Sequence, residues 1–149
     1  MIDSSQVKKL REMTGVSMMD CKRALESSQG DMEKAQKFLD EQDFKIAEKK
    51  SGRNLKAGLV EQYIHNDGCT GTLVEVLCET DFVARNPVFK ELAHDIAMQI
   101  AAANPEDLAQ LLVEPFIKDE SKTVEEYVNS KIAVLGENIK VGRFVRFQI

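Results

Sequence analysis

Phe89, Leu92, Ala93, Ile96, Ala97, Ile100 and Ala101 occupy positions i, i+3, i+4, i+7, i+8, i+11 and i+12, with no break in the series. That spacing puts every one of them on one side of an α-helix. It predicts a helix over 87–103 that lies along its whole length on an apolar layer. The alanines in the stripe let that layer come close, as the flat face of a sheet can.

Strand patterns for such a sheet lie on either side. Residues 59–64 and 72–78 read as strands joined through Asn66-Asp67-Gly68, and Asp-Gly between apolar runs is a hairpin signal. Residues 139–149 alternate as a last strand. Ile139, Val141, Val145, Phe147 and Ile149 are placed on one face, Arg143 is the exception on it, and Phe144 and Arg146 point the other way. Between helix 87–103 and that strand, Asn104-Pro105 is a stop, 106–111 a short helical turn, 114–116 irregular, and 123–135 a helix begun by Thr123 and ended by Gly136. The expected order is β-β-α-(α)-α-β, an α+β unit with an antiparallel sheet, helices on one face and the other face open.

The first forty residues differ in period. Val7, Leu10 and Met13/Thr14 mark one short helix ended by Gly15. Ser17 caps a second with Met18, Cys21 and Leu25 inward, and Gly30-Asp31 introduces a third with Met32, Ala35 and Phe38/Leu39 inward. Residues 43–53 are charged and helix-friendly up to Gly52. The expected division is a three-helix bundle over 1–42, a connecting helix over 43–55, and the α+β core over 56–149.

Composition narrows the function. With 149 residues, 43% hydrophobic and 30% charged, the chain has the make-up of an ordinary soluble protein. A formal charge of −5 without a basic stripe argues against direct nucleic-acid binding. No secretory or membrane-spanning run is read at the start, and three cysteines without a C-x-x-C suit a reducing cytoplasm and no metal site. Cys78 reads as a core residue and Cys69 as an exposed thiol. Nucleotide-loop, dinucleotide, hydrolase-elbow and zincin motifs are not found, and His65 and His94 have no nucleophile at useful spacing, so neither an enzyme nor a resident cofactor is expected.

Two segments ask for more. In Glu79-Thr80-Asp81-Phe82-Val83-Ala84-Arg85 a large aromatic stands beside a carboxylate in a connection. Either Asp81 caps a helical turn and Phe82 enters the core, or a rigid loop offers both to a partner. At Met18-Met19 the two side chains cannot both point inward. An exposed Met19 with Lys22 suits an apolar-plus-charge contact with an acidic partner helix.

Read together, several segments resemble a known family. Val7 to Gly15, Met18-Met19-Asp20-Cys21-Lys22-Arg23-Ala24-Leu25, Gly30-Asp31, Ala47 to Arg53, Leu77 to Asn86, Ile96 to Ala102 and Gly136-Glu137-Asn138-Ile139 closely resemble translation elongation factor Ts. That family is the bacterial and organellar guanine-nucleotide exchange factor for elongation factor Tu. The resemblance implies a ubiquitin-associated-like bundle whose Lys22 contacts the nucleotide-binding domain of the GTPase, with Lys50 a further basic contact. It implies that Asp81 and Phe82 intrude between two helices of that domain, and that the turn Gly136-Glu137-Asn138 lies close to the same surface. It gives His65 the role of a hairpin histidine touching a different domain of the GTPase. Long members have two related core halves and this chain has one, which implies a homodimer in which a second copy replaces the missing half. Two rivals stand beside this reading: an adaptor that binds ubiquitin-like partners through the bundle alone, and a small enzyme built on His65 or His94.

Overall fold

The computed structural model describes all residues from Met1 to Ile149, and they form two compact units, Met1–Lys45 and Ile46–Ile149. No helix is long and apolar enough to cross a membrane.

The first unit holds α1 (Ser4–Thr14), α2 (Met18–Ser27) and most of α3 (Met32–Lys50). Asp3 and Gln6 cap α1 reciprocally, and Gly15 ends it at φ 71°, a backbone state that costs glycine little. Its small core is Val7, Leu10, Cys21, Ala24, Leu25, Ala35 and Leu39. Met18, expected inward, is more than a third exposed, because Cys21, Ala24 and Leu25 fill the inner face of α2. Residues 43–50 are not a separate connecting helix: α3 runs without interruption to Lys50, since nothing from Met32 onward breaks it before Gly52.

The second unit is built on a three-stranded antiparallel sheet of order β1-β2-β5, from β1 (Ala57–Ile64), β2 (Thr70–Cys78) and β5 (Lys140–Gln148). Gly58 sits at φ 155° with Val76 O only 2.3 Å from where a Cβ would stand, so that crossing admits no side chain. After β2 come α4 (Asp81–Ala84), α5 (Pro87–Ala103), α6 (Leu108–Val113), a small hairpin of β3 (Pro115–Phe116) and β4 (Asp119–Thr123), and α7 (Val124–Leu135).

Helix α5 buries its whole stripe, and Phe89, Leu92, Ile96 and Ile100 reach zero exposure. Each such side chain is worth roughly 1.5–3 kcal/mol over leaving it in water. The sheet face beneath is Thr72, Val74, Val76 and Cys78, and Thr72 Oγ1 donates to Ala97 O at 2.9 Å.

Helix α5 also carries two buried polar residues outside the apolar stripe. Gln99 accepts from Ile117 N–H at 2.9 Å and donates to Pro115 O at 3.1 Å, so it holds the β3–β4 hairpin that the sequence left irregular. Asp95 accepts from the Tyr127 hydroxyl at 2.5 Å. Its other oxygen lies 2.7 Å from Lys118 Nζ without a directed hydrogen bond, a Coulombic contact. Tyr127 stacks on Phe116 with ring centroids 4.0 Å apart.

The last strand departs from its simple alternation. Val76 pairs with Val141 but Val74 pairs with Phe144, so Gly142 and Arg143 together oppose Glu75 in a β-bulge. The extra residue reverses the faces beyond it. Val141 faces the core, then Phe144 and Arg146 do, with Arg146 Nε donating to Ala101 O at 3.0 Å, while Val145 and Phe147 turn to the open face. The misfit of Arg143 in the alternation was the trace of that bulge.

Candidate functional site

The segment from Glu79 to Arg85 is where chain and chemistry meet. Thr80, not Asp81, is the helix cap: its backbone is extended and its Oγ1 accepts from Val83 N–H at 3.3 Å. The single turn α4 then rotates successive side chains by about 100°. Val83 and Ala84 take the inward directions and are buried, which sends Phe82 outward at 83% exposure with Asp81 exposed beside it. Phe82 is therefore not a core residue. Asn86 caps α5 and Pro87 opens it, so the turn leads directly into the long, largely buried helix of the unit.

A second segment clasps this one. Glu137 Oε1 accepts from both Glu79 N–H (3.1 Å) and Thr80 N–H (3.0 Å), and its Oε2 accepts from the Thr80 hydroxyl at 2.7 Å. Glu79 returns the contact by accepting from Asn138 N–H at 2.8 Å. The Asn138 amide, 2% exposed, donates to the carbonyls of Arg53 (2.9 Å) and Ser51 (3.4 Å). Arg53 Nη1 stands 3.6 Å from Glu79 Oε1. Gly136, at φ 75°, ends α7 and turns the chain into the clasp. Residues 51–53, 79–80 and 137–138 thus close one polar knot at the base of the exposed turn.

The other candidate residues lie elsewhere. Lys50 is the last residue of α3 and its carbonyl accepts from Arg53 N–H, so it adjoins the knot. His65 is at the opposite end of the sheet, because Ala57 pairs with Cys78 and Ile64 with Gly71. Eight strand residues separate the two ends, roughly 25 Å at the usual rise. His65 Nδ1 is 3.1 Å from the Tyr63 hydroxyl, and the Tyr63 and His94 rings are 6.0 Å apart. Met19 and Lys22 share a face of α2. Met19 is exposed, and Lys22 makes only a long 3.9 Å pair with Glu26. Asp81, Phe82, Gly136, Glu137, Asn138 and Lys50 therefore gather at one end of the second unit, His65 occupies the other end, and Met19 with Lys22 belongs to the first unit.

Sequence reasoning named Glu79 and Thr80 only as neighbours of the aromatic and gave no part to Arg53. The roles of Glu79 and Thr80 depend on partners 57 to 59 residues away, and that of Arg53 on Asn138, 85 residues away, and no local pattern reports such pairings. Asp95 and Gln99 lie four apart beside the apolar stripe, and only that spacing on the helix hints at their burial.

Cys69 is exposed at the hairpin end, whereas Cys21 and Cys78 are buried, and burial pushes both of those thiols above the ordinary range. The sheet face away from α5 is apolar and uncovered. Val60, Ile64, Leu73, Val145 and Phe147 all lie open on it, and the bulge residue Arg143 grips Glu75 through Nε at 2.7 Å and Nη2 at 3.1 Å. The arginine holds the Glu75 carboxyl below its ordinary value.

Comparison with known proteins adds to this geometry. Residues 79–149, the stretch from the exposed turn to the last strand, match the family model described as Elongation factor TS. A protein of Carboxydothermus hydrogenoformans named Elongation factor Ts is 44% identical, with all of this chain and 89% of that protein covered. One of Desulforamulus reducens with the same name is 43% identical over 99% of this chain and 89% of its own length. One of Coprothermobacter proteolyticus, again so named, is 41% identical over 99% and 98%. The first alignment runs over 194 positions against a chain of 149 residues, so at least 45 positions, the difference between the two, have no counterpart here. At that identity over the full length, the chain belongs to the elongation factor Ts family.

Proposed function

We propose that this protein is a guanine-nucleotide exchange factor that binds elongation factor Tu and promotes GDP release during translation, acting by binding alone in the cytoplasm or an organellar matrix. The observation that carries the reading is Phe82, 83% exposed on a clasped turn with Asp81 beside it. An exposed aromatic held beside a carboxylate on a hydrogen-bonded turn offers a partner both an apolar group to bury and a charge.

The mechanism follows from linkage. GDP is held through phosphate contacts and a magnesium ion, so a factor that speeds its loss must prefer a conformation in which those contacts are weaker. Each tenfold loosening requires about 1.4 kcal/mol of coupling, and bound nucleotide weakens factor binding by the same ratio. Burying Phe82 between helices of the partner returns roughly 2–3 kcal/mol, but only after those helices part. That energy corresponds to roughly 30- to 160-fold in nucleotide affinity. Asp81 competes for polar contacts near the metal and phosphate loop. Met19 and Lys22 on the bundle, Lys50 beside the wedge, and His65 at the far hairpin supply affinity, while the Gly136-Glu137-Asn138 turn lies beside the wedge and supports it.

The test is release of fluorescent GDP from purified elongation factor Tu with substoichiometric amounts of the protein. Acceleration by the wild type and a loss of roughly 30-fold or more in Phe82→Ala is the expected result. Catalysed release that survives Phe82→Ala intact sinks the wedge.

A second copy of the chain is proposed to cover the open sheet face. Val60, Ile64, Leu73, Val145 and Phe147 lie bare there, and the Carboxydothermus hydrogenoformans relative carries at least 45 positions, 194 less 149, that this chain lacks. Sedimentation at micromolar concentration should give a dimer.

A further inference from the structure

We infer that Glu137 is a positioning residue: its carboxylate holds the Glu79-Thr80 backbone so that the turn α4 presents Phe82 already formed, and it does not act through a charge offered to the partner. The inference rests on the wedge reading above and assigns the clasp its part in it.

All three donors to Glu137 come from the neighbouring segment: the N–H groups of Glu79 and Thr80 at 3.1 and 3.0 Å, and the Thr80 hydroxyl at 2.7 Å. Thr80 Oγ1 does double duty. It accepts from Val83 N–H to start α4 and gives its own proton to Glu137, so the carboxylate fixes which way the cap points. Phe82 itself is exposed, and the packing of Val83 and Ala84 below it restrains the turn from one side only. The clasp supplies the other side. Without it, residues 79 and 80 regain backbone freedom that has to be lost again when the wedge enters a partner. The side-chain amide of Asn138, donating to the Ser51 and Arg53 carbonyls, anchors the residue next to Glu137 from behind.

Positioning and direct contact separate on one substitution. Glu137→Gln keeps an oxygen able to accept from both backbone N–H groups; its NH2 then faces Thr80 Oγ1 and can donate to it, reversing that hydrogen bond, while the charge is lost. Glu137→Ala loses the acceptors as well. The full-length variants are compared by amide hydrogen exchange over 79–84 in the free protein and by the maximal rate of GDP release from elongation factor Tu at saturating factor.

Glu137→Ala is expected to speed amide exchange at residues 79 and 80 by about tenfold or more. It is expected to lower the maximal release rate about tenfold, the equivalent of about 1.4 kcal/mol or one residue's backbone ordering. Glu137→Gln should stay within about threefold of wild type on both measures, since a neutral acceptor retains most of the contact. Thr80→Val, which removes the hydroxyl leg from the other side, should loosen the same amides should Glu137→Ala not fold.

Glu137→Gln as impaired in release as Glu137→Ala, with amides still protected, would overturn the inference in favour of a charge contact. Loosened amides with an unchanged release rate would overturn it as well. The amide measurement needs no partner and Phe82→Ala is run in parallel, so a failure of the wedge reading shows as an intact clasp response with no effect of Phe82→Ala on release.

Discussion

Replacing Tyr127 by phenylalanine removes one oxygen and leaves the ring where it is. The ring keeps its stack on Phe116 at 4.0 Å, and no cavity opens. What is lost is the donation to Asp95 Oδ2, a carboxylate 2% exposed on α5 whose remaining polar neighbour is Lys118. Hydrogen bonds to charged groups are worth about 1.5–3 kcal/mol, and stranding the acceptor in a buried site puts the cost within that range.

In urea, at about 1–3 kcal/mol per molar for a protein of this size, the midpoint of Tyr127→Phe should fall by about 1 M when followed by circular dichroism. The pH dependence gives a second check. Burial first, then donation to Asp95 and the charge of that carboxylate, raise the Tyr127 phenol above its ordinary value of 10.0. Below pH 10 the residue is protonated in both folded and unfolded chains, and its contribution is complete. Above pH 10 the unfolded chain releases the proton and the folded chain does not, so stability drains away as pH rises. The variant has no such proton, and the gap between wild type and variant should narrow from pH 9 to 11. A gap under about 0.5 kcal/mol at neutral pH, or one that widens in alkali, would refute the account of Asp95 as a buried acceptor dependent on Tyr127.

Gly58→Ala sets a Cβ 2.3 Å from Val76 O and 3.0 Å from Leu77 Cα, both main-chain atoms, at φ 155°. It should cost about 3 kcal/mol or more, and a melting temperature within about 2 °C of wild type would contradict the close crossing of β1 and β2. Iodoacetamide at pH 7.5 should label Cys69 well ahead of Cys21 and Cys78, which are buried with raised thiol pKa values; mass spectrometry showing equal rates at all three would count against that packing. Leu73→Glu places a charge in the middle of the open sheet face, where the native side chain is 47% exposed. It should shift sedimentation from dimer to monomer without lowering the melting temperature, and an unaltered dimer would mean that the copies meet elsewhere.

The sequence by itself determined what depends on neighbours within a turn or a strand. The stripe from Phe89 to Ala101 is one helix with that face buried, Asp67-Gly68 lies in the hairpin connection, Gly15 and Gly136 end their helices, and the motifs between residues 7 and 139 carry the family resemblance. In each case the determining forces act over a few residues, so the pattern and the structure share one period. Only the tertiary structure decided the rest. Whether Phe82 or Val83 went inward depended on how α4 is mounted between β2 and α5, and both are apolar on paper. The faces of β5 turned on one extra residue opposite Glu75, which alternation detects only as a misplaced Arg143. The hairpin of β3 and β4 has the polar run Asp119-Glu120-Ser121-Lys122-Thr123 in one strand and is held by Gln99, 18 residues before Ile117 and beyond any local cue. The clasp joins residues 57 to 59 apart through backbone N–H groups, which every residue but proline has and no sequence pattern singles out. Local periodicity fixes which segments become helix or strand, but satisfying buried polar groups is settled by whatever the folded chain brings within about 3 Å, and that is known only once the chain has folded.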